Sequence, residues 1–96
     1  MARVKVMYWK EIPYGVRAQD ESGPVTRPLP NEFQEAIDSL AMRTGATAAE
    51  DYQAGFRWGP AEERPGTAAE AADAMVAVIV AEFPASRLES MAREAE

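Results

Sequence analysis

The chain has 96 residues and a formal net charge of −6, with neither cysteine nor histidine. Those numbers allow one small domain and exclude disulfides, thiolate or imidazole metal sites, cysteine nucleophiles and histidine acid/base chemistry. The N-terminus has no apolar leader core, and the longest uncharged run, Ala74 to Ala81, is too short to span a membrane, so a cytoplasmic, unsecreted protein is expected.

Ala2 to Lys10 alternates, with Val4, Val6 and Tyr8 on one side and Arg3, Lys5, Met7 and Trp9 on the other, the period of a half-buried strand. Glu11-Ile12-Pro13 should break it. Tyr14 to Gln19 resumes in extended form, with Val16 and Ala18 facing one way and Arg17 and Gln19 the other. A turn cluster at Asp20 to Pro24 precedes a short edge strand at Val25 to Arg27, which Pro28 and Pro30 close. The first thirty residues therefore predict an antiparallel meander.

Asn31 is expected to cap a helix, with Gln34 in the capping-box position and Phe33, Ala36, Ile37, Leu40 and Ala41 forming its apolar stripe. Gly45 is the expected C-terminal stop, after Arg43. A further helical turn is expected at Ala48 to Asp51. Tyr52 to Trp58 then reads as a strand, with Ala54, Phe56 and Trp58 on one side and Gln53, Gly55 and Arg57 on the other. Gly59 to Gly66 reads as a charged loop.

Thr67-Ala-Ala-Glu70 has the spacing of a capping box, and the apolar run behind it predicts a helix to Phe83, stopped by Pro84. A strand over Met75 to Ala81 is the rival, since the run is rich in valine; the cap, the alanine-rich lead-in and the length favour helix. Because it is apolar nearly all round, it is expected to be buried, against a sheet or a second copy of the chain. Ser86 could cap a last short helix, with Leu88, Met91, Ala92 and Ala95 along one side.

The order β-β-(β)-α-β-α plus a short C-terminal helix predicts an α+β two-layer sandwich: a mainly antiparallel sheet of three to four strands with two helices on one face. Residues 1–83 would form the domain and 84–96 a helical tail. The uncovered sheet face would carry the binding residues: Arg3, Lys5, Trp9, Arg17, Gln53 and Arg57. Basic groups interleaved with a tryptophan suit an anionic ligand or an acidic partner surface, although a solvated outer face with one stray aromatic has the same pattern. The charge is uneven in that sense: residues 1–30 hold five basic and three acidic side chains, the remainder five and thirteen. A sequence pI near 4.6 weighs against a nucleic-acid partner.

Tyr8, Tyr14, Tyr52, Asp38, Glu50 and Asp51 could move protons, and Arg17, Arg27 or Arg57 could hold an anion. No nucleophile motif, phosphate loop or metal spacing organises them, so no cofactor or metal is expected. Asp38 is expected to pair with a nearby arginine, and Met42 and Met75 to fill the core.

Trp9-x-x-Ile12-Pro13-x-x-Val16, then Phe33-x-x-Ala-Ile-Asp38-x-x-Ala-Met42-x-x-Gly45, then Asp51-Tyr52 and Trp58 resemble a small bacterial domain family labelled "virulence factor". That domain occurs alone at about this length and also within the larger conserved virulence factor C. The resemblance would cover Val4 to about Phe83. It implies a phenotype rather than a reaction, and brings no catalytic residue, substrate or cofactor. The expectation is a protein that works by binding an acidic partner or itself; a small enzyme acting on an anionic metabolite is the alternative.

Overall fold

A computed structural model describes residues 1–46 and 48–93. β1 (Ala2–Trp9), β2 (Ile12–Asp20) and β3 (Gly23–Pro28) form the meander. α1 (Asn31–Thr44) and α2 (Ala49–Ala54) carry the chain to the far side of β1. There β4 (Phe56–Trp58) and β5 (Glu62–Arg64) pair with successive parts of the same strand. α3 (Ala68–Glu82) and α4 (Ala85–Arg93) follow. The sheet order is β3-β2-β1-β4, with β5 also on β1, and all pairings are antiparallel. The α+β sandwich and its antiparallel sheet are as the patterning predicts.

The hairpin is tighter than expected. Only Lys10 and Glu11 form its turn, Lys10 with a left-handed φ of 54°, and Ile12 and Pro13 are buried members of β2. A bulge follows: Met7 lies opposite Gly15 and Tyr8 opposite Pro13, leaving Tyr14 as the extra residue on β2.

Val4, Val6, Val16 and Ala18 are buried, and the core gathers them with Met75 and Ile79 of α3. α3 begins where the capping box places it, with Glu70 N–H donating to Thr67 Oγ1 at 3.2 Å and Thr67 N–H to Glu70 Oε1 at 2.9 Å. It is not buried all round, however. Ala68, Ala71, Ala72, Met75 and Ile79 face inward, whereas Val78 and Val80 are 39% and 40% exposed beside Ala74, Ala77 and Ala81. A helix resting on a sheet can bury only the side it lies on, and alanine offers little area to hide on the other.

α1 packs against β2 and α4. It ends at Gly45 in the left-handed conformation that glycine adopts without steric penalty, φ 78°. Its start differs from expectation. Pro30 occupies the cap position and its carbonyl accepts from Phe33 N–H at 3.0 Å, so Asn31 is the first helical residue and makes no cap bond. Gln34 instead donates to Asp38 at 2.9 Å and to the Tyr52 hydroxyl at 3.2 Å, which replaces the arginine expected for Asp38. Met42, expected in the core, is 74% exposed.

The 52–58 strand shrinks to Phe56–Trp58, because 49–54 is helical, with Glu50 and Asp51 at the end of α2 where negative charge is favourable. β5 falls within the expected loop. α4 starts one residue before Ser86 and docks Leu88 and Ala92 on α1; Ala95 lies outside the described residues. No helix among the described residues is long and apolar enough to cross a membrane.

Candidate functional site

β1 and β2 present their outward side chains in rows, because residues directly opposite on antiparallel strands share a side. Arg3 stands opposite Gln19, Lys5 opposite Arg17 and Met7 opposite Gly15. On the other flank of β1, Trp58 stands opposite Met7. Arg3, Lys5, Arg17, Gln19, Trp58 and Ala61 line an open trough of about 530 Å³. The Lys5 ammonium sits 4.4 Å from the centre of the Trp58 ring, held over its π face. Trp58 itself is 44% exposed.

The trough gathers three cations on a chain with an acidic excess. Arg27, Arg57 and Arg64 each have a carboxylate partner, on Asp73, Glu11 and Glu62. Among the described residues Arg3, Lys5 and Arg17 have none within 4.0 Å. Glu63 lies opposite Arg3 across the β1–β5 pairing and is the one acidic residue of that row, yet it makes no ion pair with it.

Three of the six residues expected at this site are elsewhere. Trp9 is fully buried: α2 folds over the end of the hairpin, the Tyr52 ring stacks on the indole at 5.5 Å, and the indole N–H donates to the Tyr52 carbonyl at 2.6 Å. Gly55 lies so close to the indole that a Cβ there would be 2.6 Å from it. Gln53 belongs to α2 rather than to a strand, and so has no place on the sheet face. Arg57 is on the reverse side. It stands opposite Tyr8, its guanidinium lies 4.8 Å from that ring, and its Nε donates to the Lys10 carbonyl at 3.2 Å.

The tryptophan of the trough is therefore Trp58, which alternation turns the other way from Arg57 without assigning it to the basic face. Its signal was available in part. Once β4 pairs antiparallel with β1, Met7 opposite Trp58 puts the indole on the side of Lys5, but that register depends on where α2 ends. Gln19, which alternation puts on the same strand face as Arg17, also lines the trough and adds to the binding residues expected there.

Among the described residues no three Asp, Glu, His or Cys side chains are grouped as metal binding requires. A family model described as "Virulence factor" matches residues 7–92, running past Phe83 into the last helix. No curated protein and no solved structure matches the chain.

Proposed function

The chain belongs to the virulence factor family, and from that premise we propose that it works by binding, the trough contacting an acidic partner protein. The observation that carries this reading is the group of cations Arg3, Lys5 and Arg17, without an ion-pair partner among the described residues, beside a half-exposed indole on an otherwise acidic chain. Leaving like charges together is unfavourable unless something opposes them, and a carboxylate-rich surface would do so while steering the encounter. The indole supplies apolar area of the kind that anchors protein contacts.

The enzyme alternative needs a tyrosine or carboxylate beside an arginine in an enclosed pocket: the side chains lining the trough include neither, and Arg57, which has Tyr8 and Glu11 beside it, is exposed on the reverse side of the sheet. Self-association is a second reading, favoured by the uncovered side of α3 around Val78 and Val80. A mass that stays monomeric across concentrations in light scattering would exclude it.

The test uses poly-L-glutamate and single-stranded poly(U) as probes at low ionic strength. Poly-L-glutamate should bind, should be released by salt, and should be lost in Lys5→Glu/Arg17→Glu while Arg57→Glu retains it. Binding that survives the double reversal, or capture of poly(U) alone, would overturn the reading.

A further inference from the structure

The order of side chains along the trough specifies more than a sign of charge. The outward residues of β1 are spaced about 6.6 Å apart, since a strand rises about 3.3 Å per residue. The first row is Arg3 with Gln19, the second Lys5 with Arg17, and the third Met7 with Gly15 and Trp58. Two rows of hydrogen-bond donors are thus followed by one apolar row. In that third row Gly15 has no side chain, so the apolar surface is that of Met7 and the half-exposed Trp58.

We infer that the trough recognises an extended segment carrying carboxylates at two alternate positions and an apolar side chain at the next alternate position. An extended chain repeats at the same spacing as the rows, so its alternate side chains fall on successive rows. Two carboxylates would lie over Arg3/Gln19 and Lys5/Arg17. The apolar side chain would lie over Met7 and cover Trp58. Glu63 closes the β5 flank of the first row to negative charge, so the segment's carboxylate sits toward Gln19. Lys5, already held on the Trp58 ring, is positioned to couple the charged rows to the apolar one.

This rests on the binding reading above, and the experiment separates the two. The probe is a capped peptide, Leu-Ser-Glu-Ser-Glu-Ser-Leu, which reads the same in both directions and is too short to hold a helix. Its control is Leu-Ser-Ser-Glu-Glu-Ser-Leu, of the same composition but with the carboxylates on opposite sides of an extended chain. Titration at low ionic strength is followed by the emission of Trp58, and a Trp58→Phe variant identifies that signal against buried Trp9.

The alternating peptide should bind about threefold or more tightly than its control, the scale of one surface charge pair misplaced. Lys5→Glu should abolish the preference. Equal affinities that Lys5→Glu lowers together would overturn the row-by-row inference and leave the binding reading standing. So would failure of both peptides where poly-L-glutamate still binds. Failure of all three probes would overturn both.

Discussion

The carboxylate of Asp20, at the end of β2, accepts a hydrogen bond from the backbone N–H of Ala68, the first residue of α3, at 2.7 Å and across 48 positions of sequence. Its other oxygen accepts from Ser22 N–H at 2.7 Å. The turn between β2 and β3 therefore caps the helix that lies across the sheet, adding a tertiary acceptor to the local one from Thr67. An anionic group at a helix N-terminus is favoured by the dipole as well as by the bond.

These bonds, the Ala68 N–H first and the Ser22 N–H second, hold the Asp20 carboxyl below the ordinary aspartate range, against a smaller opposing effect of burial. A lowered folded-state value means that the unfolded chain takes up the proton first. The stabilisation is complete above the unfolded value of about 4 and is lost as pH falls through the lowered one. Asp20→Asn should therefore melt earlier than the wild type at pH 7, with the gap closing in acid. A difference in melting temperature that stays constant from pH 7 to pH 2 would contradict this origin.

Gly55 should not tolerate a methyl group. Its φ of −77° suits any residue, so backbone strain is not the reason; a Cβ would stand 2.6 Å from the Trp9 indole, which the core holds on every side. Gly55→Ala should lose about 1–3 kcal/mol, the scale of overpacking a filled core, in urea unfolding. Unchanged stability would mean that α2 does not seal Trp9.

The two tryptophans should report separately. Trp9 is fully buried and Trp58 44% exposed. Iodide should quench one component of the emission, and Trp58→Phe should remove that component while leaving the protein within about 1 kcal/mol of wild-type stability. If the remaining emission were quenched as readily, Trp9 would be the accessible ring.

Thr67→Ala should cost about 1 kcal/mol in chemical denaturation through loss of the capping box. Thr67→Ser should recover most of it, because the hydroxyl is what accepts the Glu70 N–H.

Much of the architecture was legible because it rests on short-range rules. Thr67 and Glu70 announce the start of α3, Pro84 its limit, and Gly45 the end of α1. The alternation of Val4 and Val6 with Arg3 and Lys5 puts the basic side of β1 away from the core. Arg17 and Gln19 follow from the same period on β2. Each of these needs only neighbours two, three or four residues apart.

The remaining assignments concern groups that meet across long separations. Alternation counts Trp9 with Lys5 as outward, but Tyr52, 43 residues later, covers it. Arg57 and Trp58 exchange the roles expected of them because the β1–β4 register decides which of two adjacent side chains faces Lys5. β5 exists because β4 covers only Met7 to Trp9 on its edge of β1, leaving that edge open at Ala2 to Val4 for a charged segment between two prolines to bond.

By itself, then, the sequence determined the elements that local hydrogen bonding and periodicity define: the capping box of α3, the glycine stop of α1, the meander and the cationic face of its first two strands. Only the tertiary structure decided which aromatic ring joins those cations, which side of α3 stays uncovered and what caps α3 from across the sheet. Burial and strand register are set by whichever distant segment arrives, and no local period records that.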